Sequence, residues 1–435
     1  MPPGIPNIVG NECAERFSFY GMKGILVVFM TTYLVNRLGQ PDVMTEEQAK
    51  SWFHLFTSAL YGLSFFGAIL SDGFLGKYRT IMILSIVYCF GHFALAIDET
   101  RLGLIVGLAL IAIGSGGIKP CVSAHVGDQF GTRNTHLRER VFAWFYLAIN
   151  AGSFVSMLLT PWLLENKNFG PKWAFGVPGI AMALATFVFW MGRKRFAHIP
   201  AGGRQFLNEI LSIEGFKSIG KLVPIFFFVA IFWSLYDQTG SAWVLQAKKM
   251  DLYFLGHLWL PSQIQAVNPL LILILVPTFA YVLYPLMGRM FRLTPLRKMG
   301  IGFALCALSF VIAALVETRI SAGESPSIGW QILAYLIITA GEVMVSITCL
   351  DFSYSQAPPK MKSMVMALFL FSVAVGNVIT AGVNVFIQNE DGTTKLVGAE
   401  YYMFFTILMV GATLIWIPIA KRYKEKNYNA ATTIS

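Results

Sequence analysis

Eight ionisable residues stand inside otherwise apolar stretches of this chain: Glu12, Glu15, Arg16, Lys23, Lys119, Asp237, Glu342 and Asp351. A charge at the centre of a bilayer costs about 2.5–3.5 kcal/mol on insertion scales. Such groups persist when they are paired, carry a proton or line a wet cavity. Glu12, Arg16, Tyr20 and Lys23 are spaced 4, 4 and 3, which puts them on one stripe of a helix with Glu15 beside it. Glu12 and Arg16 are an i,i+4 pair. Lys119 follows the run Gly114-Ser115-Gly116-Gly117-Ile118, on a segment that should cross in the opposite direction to the first. Glu15 and Arg16 then fall at a similar depth, and a contact between Glu15 and Lys119 is expected. Trp233 and Asp237 are one turn apart. Glu342 is the most telling residue: it lies near the middle of its stretch, with Ser346 one turn on and no basic neighbour in its own helix. It needs a cationic partner, a proton or a cavity. His54, at the outer end of the second stretch, has an ordinary pKa of about 6.5 that suits proton handling. No role is assigned to His92.

This inventory suits ion and proton handling rather than covalent chemistry. The chain has no H-E-x-x-H, no G-x-S-x-G and no paired membrane aspartates. Cys13, Cys89, Cys121, Cys306 and Cys349 all lie in apolar runs with no C-x-x-C spacing, so neither a disulfide framework nor a zinc site is expected. No metal or organic cofactor is implied.

The elements that must position these groups are membrane helices. Of 435 residues, 56% are hydrophobic and 13% charged, where soluble chains carry about 25% charged residues. A window of about 19 residues gives twelve spans: 12–36, 51–71, 80–97, 102–124, 141–161, 174–191, 222–245, 264–287, 299–316, 330–354, 363–388 and 400–420. Asn11, Glu12, Glu15 and Arg16 interrupt the place where the core of a cleavable signal peptide would run. The longest polar stretch, 192–221, divides the spans six and six, as expected of two pseudo-symmetric bundles with a site between them. The expected organisation is a first bundle over 1–195, a cytoplasmic linker over 196–221, and a second bundle with a short tail over 222–435. The net charge of +10 would suggest nucleic acid in a soluble protein. Here, with both termini placed inside, 21 of the 33 Lys and Arg fall in cytoplasmic segments and nine outside. That bias is the positive-inside rule and not a nucleic-acid surface.

The turn after the second span, Gly67-Ala-Ile-Leu-Ser-Asp72-Gly73-Phe74-Leu75-Gly76-Lys77, resembles the loop motif of the major facilitator superfamily. Glu12-x-x-Glu15-Arg16-Phe-Ser-Phe-Tyr20 is similar to the E-x-x-E-R signature of the proton-coupled oligopeptide transporters. Phe145-Tyr146-Leu-Ala-Ile-Asn150-Ala-Gly152-Ser resembles that family's second signature. Gly-Gly-Ile-Lys119-Pro, Phe-Trp233-Ser-Leu-Tyr-Asp237-Gln, and Gly-Glu342 followed by Phe352-Ser-Tyr354-Ser-Gln356-Ala-Pro continue the likeness in order along the chain. The tenth-span run is similar to the animal intestinal-type members. Phe19 departs from the family's usual tyrosine, and Lys23 stands where arginine is common, which removes a planar bidentate donor. The gap at 317–329 is too short for the large extracellular domain of animal members. The segment 192–221 is too short and polar for the two extra helices of many bacterial ones.

The resemblance implies an all-α major facilitator fold of twelve transmembrane helices in two six-helix bundles. It implies a multi-pass protein of the plasma (bacterial inner) membrane, acting as a monomer. It also implies proton-driven import of di- and tripeptides by alternating access, with the proton as coupling ion. Arg16 and Lys119, with Lys23 beside them, take the peptide carboxylate. Glu342 takes the amino terminus with Asn150 and Asn268. Tyr20, Tyr61, Tyr146, Trp233 and Ser346 line the pockets. Glu12, Glu15, Arg16, His54 and Asp237 form the proton-coupling set. Whether peptide-like drugs are carried stays open at this point. So does the anion reading, in which Arg16 and Lys119 serve nitrate, although a retained Glu342 would repel an anion.

Overall fold

The computed structural model describes residues 1–131, 134–203, 220–356, 362–391 and 393–423. Most of the expected linker over 196–221 lies outside them. So do Arg133, Arg204, Lys217, Lys360, Lys424 and Lys426 of the orientation count, and Ala357 and Pro358 of the tenth-span motif. Nothing is described of the Tyr354 side chain.

Every expected span coincides with helix. In chain order these are α1 (Ile5–Thr32), α2 (Glu46–Ile69), α3 (Lys77–Ile97), α4 (Arg101–Asp128), α5 (Arg138–Glu165) and α6 (Gly170–Met191). They continue with α7 (Val223–Tyr236), α8 (Ala242–Ala247), α9 (Val267–Thr278), α10 (Tyr284–Met290) and α11 (Pro295–Ser321). The last are α12 (Gly329–Glu342), α13 (Thr348–Ser355), α14 (Lys362–Ile387) and α15 (Ala399–Arg422). Among the described residues, ten helical segments are long and apolar enough to cross a membrane. The two expected spans outside that set have physical reasons. α1 holds four ionisable residues but is 28 residues long, about 42 Å at 1.5 Å per residue, against a hydrocarbon core of about 30 Å. α7 has only 14 residues. The 3₁₀ turn Asp237–Gly240 and α8 carry it on to Ala247.

Packing divides the chain into two units, Met1–Asn208 and Glu209–Ser435. In the first, α1 lies against α5 and α6, and α4 against α2 and α3. Glycine makes these approaches possible. A Cβ on Gly67 of α2 would sit 2.4 Å from the Gly117 backbone of α4, and one on Gly152 of α5 would sit 2.4 Å from the Cys13 carbonyl of α1. The glycines of three sequence motifs are thus points where backbones touch, and they set the spacing of the charged helices. In the second unit, α11 packs on α12 and α15, and α7 on α14.

Local signals fix the ends. Thr45 and Gln48 form a reciprocal capping box at the start of α2, with Glu46 and Glu47 in its first turn. Thr100 caps α4 by accepting from Gly103 N at 3.4 Å. A short hairpin pairs Tyr253–Phe254 with His257–Leu258, turning through Leu255 and Gly256, both at positive φ. The amide- and carboxylate-bearing helices α9 and α12, which carry Asn268 and Glu342, each run into a π-turn, Phe279–Leu283 and Val343–Ile347. The second begins immediately after Glu342. Ile272, Phe279, Val343 and Met344 form one core cluster joining the two interruptions.

Candidate functional site

In the first unit the charges gather on α1, because α1 starts at Ile5 rather than at residue 12. Glu12 and Glu15 are therefore two turns inside the helix instead of at a frayed end, and they are 1% and 2% exposed. Arg16 Nε donates to Glu12 Oε1 at 2.7 Å and stands 3.3 Å from Glu15 Oε2. One guanidinium thus holds two buried carboxylates. Glu15 Oε1 also accepts from Ser115 Oγ of α4 at 3.4 Å.

Lys119 is one turn beyond Ser115 and shares its face of α4. Its ammonium does not sit on Glu15 as the sequence suggests. It lies 4.0 Å from the centroid of the Phe19 ring and 5.5 Å from that of Tyr61. The reason is competition: Arg16, four atoms from its own backbone and on the same helix as both glutamates, has already taken them. Two aromatic faces then stabilise the lysine by cation–π attraction. Phe19, where the family's usual hydroxyl is missing, is a platform for that cation. Glu12, Glu15, Arg16 and Lys23 all act on Lys119 electrostatically, so the five form one field. Lys23 lies 5.0 Å from the Phe53 ring centroid and is 9% exposed. Tyr20 meets Phe19 edge-on at 5.2 Å.

His54, expected near a solvated interface, is fully buried and edge-on to Phe53. His92 is more engaged than its sequence suggests. Its Nε2 is 2.7 Å from Ser18 Oγ, and its ring stacks on Tyr88 at 5.0 Å. Asn150 is buried but gives its amide to the Tyr146 carbonyl of its own helix at 2.9 Å, while the Tyr146 side chain is exposed. That leaves the Asn150 carbonyl oxygen and the second N–H of its NH₂ with capacity for a ligand.

In the second unit Glu342 Oε2 accepts from Tyr236 Oη at 2.8 Å and from Asn268 Nδ2 at 2.9 Å. Asn268 Nδ2 also reaches Thr339 Oγ1 at 3.1 Å. Among the described residues Glu342 has no ion pair. Neutral donors hold the carboxyl group in place and supply no compensating charge. Ser346 sits in the π-turn next to it, half-buried. Trp233 is buried and packs edge-on to Tyr236 at 5.1 Å, with an indole N–H that has no partner among the described residues. Asp237 lies within electrostatic reach of Glu342 and is held from another helix: its Oδ2 accepts from Asn377 Nδ2 of α14 at 2.8 Å.

Sequence reasoning missed Ser115, Phe19 as a cation platform, Tyr236, Thr339, Asn377 and the Ser18–His92–Tyr88 group. Tyr236 could have been found, since it adjoins Asp237 in a quoted motif. Asn377 carries no local signal, because its role exists only through the packing of α14 on α7.

The family profile described as "PTR2: POT family" matches residues 78–213 and 205–399. "Peptide transporter family 1" of Drosophila melanogaster is 38% identical over 363 residues, covering 73% of this chain and 48% of that protein. "Solute carrier family 15 member 2" of Rattus norvegicus is 37% identical over 399 residues, covering 80% of this chain and 53% of that protein. The chain spans about half the length of these relatives. A POT family transporter crystallised in meso superimposes with a TM-score of 0.88 at 36% identity, covering 97% of this chain and 98% of that one. An auto-inhibited POT family peptide transporter gives 0.87 at 35% identity, covering 98% of each. The motifs, the helices and these matches agree: the chain is an all-α, multi-pass membrane protein that belongs to the POT family.

Proposed function

We propose that this protein is a proton-coupled symporter that imports di- and tripeptides by alternating access. The observation that carries the reading is Glu342: a half-buried carboxylate oriented by Tyr236 and Asn268 and left without a cation among the described residues. An ammonium group is the complement such a site calls for. Peptides of different sequence share only a zwitterionic backbone. A polyspecific carrier therefore gains by gripping the two termini and leaving side chains in wet pockets. The first unit supplies the matching cations, Arg16 and Lys119, with Lys23 nearby. Relatives at 37–38% identity that bear the names of peptide and solute transporters support the same cargo class.

Coupling follows from competition for Arg16. While Glu12 and Glu15 are both charged, they occupy its guanidinium. Protonating Glu15 removes one of the two claims and releases Arg16, with Lys119 lifted from its aromatic seat, toward a peptide carboxylate. Asp237 and His54 handle the proton elsewhere on its path. The two charge sets are thus complementary to the two peptide termini, Arg16 and Lys119 to the carboxylate and Glu342 to the ammonium group. Tyr20, Tyr61, Tyr146, Trp233, Asn150 and Ser346 line the side-chain pockets. The remaining parts of the proposal are a first bundle over 1–195 and a second over 222–435 joined by 196–221, both termini cytoplasmic, a plasma or bacterial inner membrane, a monomer, no cofactor beyond the proton, and no enzymatic step.

The test is uptake of radiolabelled di-alanine into proteoliposomes holding the full chain, with and without an inward proton gradient. Accumulation only with the gradient is expected. Gradient-driven nitrate uptake without dipeptide uptake replaces this reading with the anion one.

A further inference from the structure

At the end of the first unit where α2 turns into α3, a cavity of about 580 Å³ lies apart from the charges on α1 and α4. Lys77, Arg79, His125 and His198 line it, and Phe74 and Ile199 form an apolar rim, 61% and 51% exposed. Three independent features converge on it. First, it sits at the N-terminus of α3, a helix of 21 residues. Gly76 precedes that helix with φ +76° and offers no side-chain cap, and the first intrahelical bond is Thr80 N to Gly76 O at 3.1 Å. The amides of Lys77, Tyr78 and Arg79 are thus the orphan donors of a helix start, carrying its positive end. Second, His125 is 1% exposed, lines the cavity, and has an Nε2 with no hydrogen-bond partner among the described residues. Leaving a buried polar atom unmatched is costly, and a ligand accepting from Nε2–H removes the cost. Third, Lys77 and His198 both lie within electrostatic reach of His125, so the donors form one group.

Two aspartates stand near these donors, Asp128 and Asp72. Asp128 accepts from Lys77 Nζ at 2.8 Å, which fixes the lysine and leaves two of its three ammonium protons available. The Asp72 carboxylate acts electrostatically on Cys121, which does not line the cavity, while its backbone carbonyl accepts from Gly202 N at 2.7 Å. Tyr78 stands edge-on to His198 at 5.1 Å, and His198 Nε2 lies 2.9 Å from the Arg193 carbonyl. Arg79 has no ion pair among the described residues. Backbone amides, a lysine, an arginine and imidazoles around one cavity match a tetrahedral oxyanion with several oxygens. The exposed Phe74 and Ile199 match an apolar tail attached to it.

We propose that this cavity is a binding site for a phosphate-class oxyanion, either the headgroup of an anionic phospholipid or free phosphate. The segment over it is already pinned: Ala197 N donates to Gln129 Oε1 at 2.9 Å, and Gln129 Nε2 donates to the His125 carbonyl at 3.0 Å. An occupant therefore braces the chain that leaves the first unit against the α2–α3 turn.

The test is a titration of the full chain, purified in detergent, with dioleoyl phosphatidylglycerol and separately with sodium phosphate, following the unfolding temperature. Dioleoyl phosphatidylcholine and sodium chloride at matched ionic strength are the controls. A saturable rise is expected with phosphatidylglycerol, with phosphate or with both, and with neither control. Response to the lipid alone identifies the headgroup as the source; response to phosphate identifies the free anion. In the variant combining Arg79→Gln and His198→Gln, both exposed positions that fold readily, the apparent Kd should weaken about tenfold or more, the worth of one charge-assisted hydrogen bond. His125→Gln should weaken it as well. The proposal is overturned if neither probe gives a saturable response, if phosphatidylcholine acts as strongly as phosphatidylglycerol, or if the double variant keeps the wild-type Kd.

Discussion

The two units solve the same problem, a carboxylate in a membrane helix, in different ways. In the first, Glu12 and Glu15 share Arg16 on their own helix at 2.7 and 3.3 Å. In the second, Glu342 is held by Tyr236 and Asn268. An ion pair neutralises charge and resists any third party, so it can be opened only by changing the charge of a member. A carboxyl group bound only by neutral donors still calls for a cation or a proton. The first arrangement suits a switch driven by protons, the second a receptor for an ammonium group. The difference between the two is therefore a division of labour that the proposed coupling requires.

The sharpest way to break this contrast is at Glu15. With Glu15→Gln, Arg16 keeps Glu12 alone and no proton can change the balance. Gradient-driven peptide uptake should fall to background while counterflow exchange of peptide persists. Gradient-driven uptake that survives in this variant removes Glu15 from the coupling step. The second unit should behave oppositely. Glu342→Gln should weaken binding of a dipeptide with a free amino terminus by about 2–5 kcal/mol, the cost of losing one member of a buried charged pair. An N-acetylated dipeptide should be unaffected. Equal losses for both ligands would mean that Glu342 holds the fold and not the amine. A smaller effect is expected one step out. Tyr236→Phe removes one neutral hydrogen bond to Glu342, worth about 0.5–1.5 kcal/mol, so dipeptide affinity should drop no more than about tenfold with the proton dependence unchanged.

Much of this contrast was legible in the sequence, and the limits of that legibility are physical. The stripe Glu12, Arg16, Tyr20 and Lys23 follows from helical spacing alone, so the Glu12–Arg16 contact could be foreseen. The isolation of Glu342 was likewise a property of its own helix. Lys119 was harder. Depth arguments place it level with Glu15, but not which of two cations reaches the carboxylate first. Arg16 wins because it needs no interhelical distance to be right, and Lys119 goes to Phe19 and Tyr61. Partners contributed by distant helices, such as Asn377 for Asp237 or Ser115 for Glu15, become visible only once glycines have brought backbones together: Gly376 against the Ala230 carbonyl in the second unit, and Gly67, Gly117 and Gly152 in the first. His92 failed for the same reason: nothing near it in sequence announces Ser18.

The smallest effect tests the contrast from outside the membrane. Asp42, in the loop before α2, takes a two-pronged contact from Arg101 at the start of α4, with Nε 2.7 Å from Oδ2 and Nη2 3.0 Å from Oδ1. Hydrogen bonding by the guanidinium holds the Asp42 carboxyl below its ordinary range. A carboxylate with a depressed pKa in the folded state contributes stability that is present above its unfolded pKa, about 3.9, and is lost as pH falls through the folded value. Here solvent screens the pair, and exposed ion pairs contribute little. Asp42→Asn should lower the unfolding temperature slightly near neutral pH, and the gap from wild type should close below about pH 4. Added salt should narrow the gap at neutral pH as well. Salt should leave the Glu15→Gln transport defect unchanged, because the Arg16 cluster lies beyond the reach of bulk ions. A salt-sensitive Glu15→Gln defect would mean that the cluster on α1 is wetter than its 1% and 2% exposed glutamates indicate, and the contrast between paired and neutrally held carboxylates would have to be rebuilt around water.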